Sequence, residues 1–158
     1  MISLVRLLGR DAALSDAGVR DAPALSLLHA ASFHRGWTDG DFERLLAERN
    51  VFAHRAMRRA KLVGFVLSRM AAGEAEILSV AVAPAERGHG LARRLLDLHL
   101  RRLAGAGCHA VFLEVDENNE PARRLYRRAA FREVGRRDSY YQHSGRATAA
   151  LVLRRDIS

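Results

Sequence analysis

The sequence predicts an α/β (α+β) fold, a single mixed sheet with helices packed on it, and three observations carry that prediction. Strand-like and helix-like segments follow one another in the order β-α-α-β-β-β-α-β-α-β-β. One near-continuous apolar run, Ile77-Leu78-Ser79-Val80-Ala81-Val82, has the texture of a central strand covered on both faces. The length of 158 residues suits one core, so residues 1–158 are expected to form one domain.

In order along the chain, Leu4 to Leu8 opens as a short strand, and Ser15-Asp16-Ala17-Gly18 breaks the periodicity. Asp21 then precedes Ala22-Pro23, a polar cap with proline in the first turn, and Leu25, Leu28 and Ser32 continue at helical spacing. An aromatic loop, Phe33-His34-Arg35-Gly36-Trp37, follows. Thr38 sits three residues before Asp41, a weak capping box for a helix that carries Phe42, Leu45 and Leu46 on one face.

From Val51 the texture is that of a hairpin: Val51 to Met57, a turn at Arg58-Arg59-Ala60, then Leu62 to Leu67. Ala71-Ala72-Gly73 punctuates before the apolar run, which Pro84 ends. Ala92, Leu95, Leu96, Leu100 and Leu103 then recur at helical spacing, and Gly105 and Gly107 close that helix. Ala110-Val111-Phe112-Leu113 restarts a strand, Glu120 to Ala129 is helical, and segments near Val134 and from Ala149 to Leu153 supply closing strands.

Composition excludes several function classes. Hydrophobic residues at 49% and charged residues at 28%, with no low-complexity tract, describe a chain that folds throughout. The formal charge of +8 favours an anionic partner such as nucleic acid, an acidic membrane or a polyphosphate, and does not choose among them. Lys61 is the sole lysine, so the excess is arginine spread over both halves. The lone cysteine, Cys108, excludes an internal disulfide and a multi-cysteine zinc site, fits a reducing compartment, and reads as a small buried hydrophobe. No stretch approaches the roughly 18 apolar residues of a membrane span, and residues 1–10 lack a long signal core, so a cytoplasmic location is expected. The seven histidines show no metal-binding spacing, and no metal is expected.

The stretch that carries chemistry is a strand, then Arg87-Gly88-His89-Gly90-Leu91-Ala92, then a helix. Two glycines let the backbone turn sharply, and the unpaired N–H groups and dipole at the helix start favour an anion. This is a phosphate cradle without the pattern of a nucleoside triphosphatase or a dinucleotide fold.

At these residues the chain resembles a known family. Arg87-x-x-Gly90-x-Ala92 is similar to the Q/R-x-x-G-x-G/A acetyl-CoA signature of the GNAT acetyltransferases, with strand and helix on the expected sides. The resemblance extends from about Ala22 to Ile157 and is tightest from Glu74 to Phe131. Within that family, Leu113-Glu114-Val115, Asn119, Leu125-Tyr126, Tyr140-Tyr141 and Trp37 with its following helix resemble the bacterial ribosomal-protein-alanine acetyltransferases. The resemblance implies a mostly antiparallel mixed sheet of about 6–7 strands flanked by about four helices.

It also implies roles. Val80, Ala81 and Val82 would pair with the amides of pantetheine as a partial strand. Gly88, His89, Gly90, Leu91, Ala92 and Arg93 would hold the pyrophosphate, with Arg87, Arg93 and Arg94 offsetting its charge. Asn119 would cap the next helix and touch the cofactor. The matching glutamate of the family makes Glu114 the general base, with Glu74 and Glu76 as rivals, and makes Tyr126 the proton donor to the departing thiolate. Trp37, Tyr140 and Tyr141 would wall the acceptor groove together with Glu114.

The expected reaction is acetyl transfer from acetyl-CoA to the N-terminal α-amine of a protein, most specifically an alanine-initiated small-subunit ribosomal protein. The partners are then acetyl-CoA and a protein N-terminus, with no membrane, no direct nucleic-acid contact, and a monomer or weak dimer as the working unit. The alternatives are a small amine or lysine acceptor, or a non-enzymatic domain that binds acetyl-CoA or nucleic acid. A basic acceptor would be repelled by a +8 enzyme, so the groove needs local acid from Glu114, Asp116 or Glu117. Two departures from the family pattern stand out. Ala129-Ala130-Phe131 lacks the usual glycine, so either Ala130 carries a left-handed helix end at a cost of about 1 kcal/mol or the helix ends differently. Ser139 is one residue more than the pattern, which displaces the tyrosines that follow.

Overall fold

A computed structural model describes residues 11–143 and 146–157, with side chains described outside 139–147. Among the described residues, seven strands form one sheet in the order β1-β2-β3-β4-β5-β7-β6. The strands are β1 (Ala13–Asp16), β2 (Val51–Arg58), β3 (Lys61–Ala71), β4 (Glu74–Val82), β5 (Ala110–Asp116), β6 (Arg132–His143) and β7 (Arg146–Asp156). Four helices pack on it: α1 (Ala22–Ser32), α2 (Asp39–Ala47), α3 (Leu91–Gly105) and α4 (Glu120–Arg128). Every neighbouring pair is antiparallel except β4 with β5. None of the helices is long and apolar enough to cross a membrane.

The element order is the one the sequence predicts, and its two early differences have local causes. The Leu4–Leu8 expectation lies outside the described residues. The observed first strand, Ala13–Asp16, includes Ser15 and Asp16, which were expected to break structure; they pair with Arg55 and His54 of β2 at the sheet's edge, where polar side chains remain in water. Asp21 does not cap α1. It ends a short 3-10 turn in helical conformation, and its carboxylate instead accepts from the Gly18 N–H and pairs with Arg55.

Other local rules hold. Thr38 and Asp41 form the full capping box of α2: the Thr38 hydroxyl accepts from the Asp41 N–H at 3.1 Å, and the Asp41 carboxylate accepts from the Thr38 N–H at 2.8 Å. Those bonds, with Arg44, hold the Asp41 carboxyl below its ordinary range. The β2–β3 hairpin turns on Arg59-Ala60. Cys108 is buried, and burial pushes its thiol upward.

Two cores flank the sheet. One side gathers Leu95, Leu96, Leu100 and Leu103 of α3 against Val66, Ile77 and Val111. The other gathers Leu25 and Leu28 of α1 and Phe42 of α2 against Phe65 and Leu67. β4 faces both cores because strand side chains alternate, and a bulge sets which residues face which: Leu67 opposes Ser79 while Ser68 opposes Ile77, leaving Leu78 as the extra residue. Ala75, Ile77, Val80 and Val82 consequently pack on the α3 side, and Leu78 and Ala81 on the other. Ser79 lies beside the bulge, its buried hydroxyl without a hydrogen-bond partner among the described residues.

Candidate active site

The sheet opens at its middle. β4 and β5 pair only from Glu74 to Glu76 and from Ala110 to Phe112. Past that point β4 stays with β3 as far as Val82, and β5 stays with β7 as far as Asp116. The two strands are thus drawn to different partners, and a wedge forms between them. A groove of about 670 Å3 is lined there by Val80, Ala81 and Val82 on one side and by Asn119 with Ala122, Leu125 and Tyr126 of the following α4 on the other. Strand edges offer N–H and C=O groups, so an extended ligand with amides of its own fits this wall.

The turn Arg87–Gly90 closes one end. Gly88 and Gly90 have φ of +80° and +79°, a region that disfavours L side chains, while a Cβ on either would meet only open space. Glycine is therefore required by backbone conformation rather than by crowding. Gly90 precedes α3 with no side-chain cap, so the first-turn N–H groups of Leu91, Ala92 and Arg93 lack helical acceptors. Arg87 and Arg93 line the same groove, giving a site that suits a polyphosphate.

Neighbouring contacts fix that turn. Arg58 of β2 grips Glu86 with two bonds of 2.7 and 3.1 Å, which raise the guanidinium and hold the Glu86 carboxyl low. Arg93 bonds Asp97 within α3 and the Arg128 carbonyl at the end of α4, at 3.0 and 2.8 Å, tying the groove's two helices together.

Tyr126 lies on the groove wall, 8% exposed, with its ring edge against Phe131. Burial pushes its phenol up to about 12, so it carries its proton at neutral pH. The helix that presents it starts at Asn119, whose side-chain oxygen accepts from the Ala122 N–H at 3.2 Å. At the other end Ala130 takes φ of +66°, the left-handed geometry expected where glycine is missing.

The structure thus brings together Val80, Ala81, Val82, Arg87, Gly88, Gly90, Leu91, Ala92, Arg93, Asn119 and Tyr126. His89 is exposed and does not line the groove. Arg94 does not line it either; its guanidinium bonds the Ala12 carbonyl at 3.2 Å. Glu114 stands on β5 past the paired stretch, outside the lining, and its carboxylate accepts from Arg137 at 2.6 Å. Glu74 and Glu76 are on the paired stretch, and Glu76 is four residues, about 13 Å of strand, before Val80. Glu117 pairs with Arg136 at 2.8 Å, so two of the three carboxylates expected to supply local acid already face arginine. The side chains of Tyr140 and Tyr141 lie outside the described residues.

Trp37 packs into the second core beside His29 instead of lining the groove. Phe33 and Ser32, at the end of α1, line it in its place. The aromatic loop signalled this region, but its spacing did not say which ring turns toward the groove.

Comparison with known proteins matches the chain to the Acetyltransferase (GNAT) family over residues 22–131. The N-alpha-acetyltransferase RimI of Mycobacterium tuberculosis is 37% identical over 124 residues, 76% of this chain and 75% of that protein. A mycothiol acetyltransferase of Mycobacteroides abscessus is 37% identical over 104 residues, 61% of this chain and 35% of that protein. The chain spans about a third of the length of the first curated relatives it matches. In fold it is similar to the ribosomal-protein-S18-alanine N-acetyltransferase of Escherichia coli, with a TM-score of 0.86 at 24% identity over 93% of this chain and 94% of the other.

Proposed function

The chain belongs to the GNAT acetyltransferase family, and from that membership we propose that it transfers the acetyl group of acetyl-CoA to the N-terminal α-amine of a protein, most specifically an alanine-initiated small-subunit ribosomal protein. The observation that carries the acyl-transfer reading is the wedge between β4 and β5, with the glycine turn at its end and Tyr126 on its wall.

Acetyl-CoA supplies the thioester that is cleaved. The Val80–Val82 edge receives the amides of its pantetheine arm, and a backbone N–H of that edge polarises the thioester carbonyl. The Gly88–Arg93 turn holds the pyrophosphate. Glu114 removes a proton from the attacking amine, directly or through a water. An α-amine, with an ordinary pKa near 8, needs less help than a lysine near 10.4.

Tyr126 gives its proton to the departing thiolate. A phenol near 12 is a reluctant acid toward a thiol of ordinary pKa about 8.5. The apolar wall that raises the phenol also raises a thiol placed against it, which narrows the gap.

A second reading, acetylation of a small amine, is supported by two observations. A relative is a mycothiol acetyltransferase, and Glu114 and Glu117 face arginines rather than an open basic-peptide path. The test is to incubate the protein with acetyl-CoA and an alanine-initiated ribosomal peptide, beside the same peptide with a blocked N-terminus, and to weigh the products by mass spectrometry. The proposal expects one acetyl group on the open peptide alone. Acetylation of a small amine with neither peptide modified would overturn it in favour of the second reading.

A further inference from the structure

His29 belongs to α1, on the stripe that Leu25 and Leu28 define, and it is 4% exposed. Its ring stacks with Phe33 at 4.3 Å and with Trp37 at 4.6 Å between centroids, and meets Phe42 edge-on at 5.7 Å. A leucine would satisfy those neighbours as well. What imidazole adds is an acceptor: the Trp37 N–H donates to His29 Nδ1 at 3.0 Å. The Trp37 carbonyl is held in turn by the Ser26 hydroxyl at 2.6 Å. Two side chains of α1 therefore grip both backbone groups of one loop residue. Between them, Gly36 runs so close to α1 that a Cβ would stand 3.0 Å from the Ala30 Cα. The loop from Phe33 to Trp37 is folded back onto its own helix, and Phe33, 41% exposed, is left at the groove.

We propose that His29 is a positioning residue for the acceptor side of the groove, fixing the Phe33–Trp37 loop through its Nδ1 lone pair and its stacked ring so that Phe33 presents one surface to the incoming amine. This rests on the acyl-transfer reading above. The elements that would hold the coenzyme's arm and phosphates, β4 and the glycine turn, lie outside the Phe33–Trp37 loop that His29 grips, although Phe33 shares the groove with them, so the acceptor is expected to feel its loss more than the coenzyme does. Burial lowers the imidazole pKa, which keeps Nδ1 available as an acceptor.

The test compares His29→Phe, which keeps a stacking ring and loses the acceptor, with His29→Asn, whose side-chain oxygen stands in for Nδ1. Three readouts are taken on the full chain: acceptor KM and kcat, acetyl-CoA Kd by calorimetry, and acrylamide quenching of Trp37, the sole tryptophan. His29→Phe is expected to raise acceptor KM about fivefold to tenfold, the scale of one lost buried hydrogen bond, with acetyl-CoA Kd within about twofold. Trp37 quenching rises in the same variant, and His29→Asn returns both values most of the way. Wild-type acceptor KM and quenching in both variants would overturn the proposal, as would an equal loss of acetyl-CoA and acceptor binding. Should the wild-type protein acetylate no amine, the acyl-transfer reading fails by itself, and quenching still decides whether His29 fixes the loop. Where circular dichroism finds His29→Phe unfolded, Ser26→Ala removes the other grip on Trp37 and is read the same way.

Discussion

His54 Nδ1 and His99 Nδ1 face one another at 2.7 Å in the core, so one donates and the other accepts. Their surroundings decide which. His54 Nε2 lies 3.3 Å from the Asp16 carboxylate, which only accepts, so Nε2 bears the proton and Nδ1 of His54 is bare. His99 Nδ1 must then donate, its Nε2 accepts, and the buried Ser68 hydroxyl donates to it at 2.6 Å. The chain Ser68–His99–His54–Asp16 runs in one direction through α3 and the first three strands, and it exists only while both rings are neutral.

Acid should therefore loosen the fold. Burial, and secondarily His54, lower His99 from 6.5 to about 3, and burial also lowers His54 against the opposing pull of Asp16. A folded-state pKa below the unfolded one means the unfolded chain binds more protons, so stability is full above about 6.5 and falls as pH drops toward 3. His99 by itself contributes a loss of about 2 kcal/mol between pH 7 and 5. Urea unfolding at the two pH values measures it, and His99→Leu should flatten the difference; equal slopes in both proteins would refute the assignment.

Glu114→Gln and Tyr126→Phe test the two proposed proton transfers separately. Each is expected to lower kcat by about 10²-fold or more while leaving acetyl-CoA affinity nearly unchanged. Steady-state kinetics with the preferred acceptor checks this. Full activity in the double variant would remove both residues from the mechanism.

Arg87→Ala should weaken acetyl-CoA about tenfold at low salt, as loss of a charge-assisted contact to phosphate does. S-acetyl-pantetheine, which lacks the nucleotide, should react at the wild-type rate. Equal losses on the two donors would place Arg87 elsewhere than at the phosphates.

Ala130→Gly should stabilise the protein by about 0.5–1 kcal/mol, because a residue at φ of +66° carries strain that glycine does not. Chemical denaturation reads the gain directly. A loss would mean that the alanine methyl packs usefully enough to outweigh its backbone.

The parts of the fold that sequence disclosed are those ruled by local chemistry. Thr38 with Asp41 and the two glycines before α3 each follow from a few neighbouring residues, while the Asn119 cap and the left-handed Ala130 are read from the family resemblance. The parts it withheld depend on distant partners. Ser15 and Asp16 look like a break until β2 is beside them. Trp37 looks like a groove wall until His29 stacks with it. Glu114 looks like an unclaimed base until Arg137, 23 positions later, reaches its carboxylate. His99 did leave a trace, lying on the apolar stripe of Leu95, Leu96 and Leu103, where a histidine needs partners that spacing cannot name.

The wedge between β4 and β5 leaves backbone amides of a central strand without the neighbour that a continuous sheet would provide. A molecule that completes those pairs binds the folded chain and finds no such edge on the unfolded one. Resistance to unfolding then becomes a measure of ligand supply, rising by about 1.4 kcal/mol for each tenfold increase in concentration above the dissociation constant. Amide exchange along Val80–Val82 would slow in step, so the strand's protection would report how full the groove is.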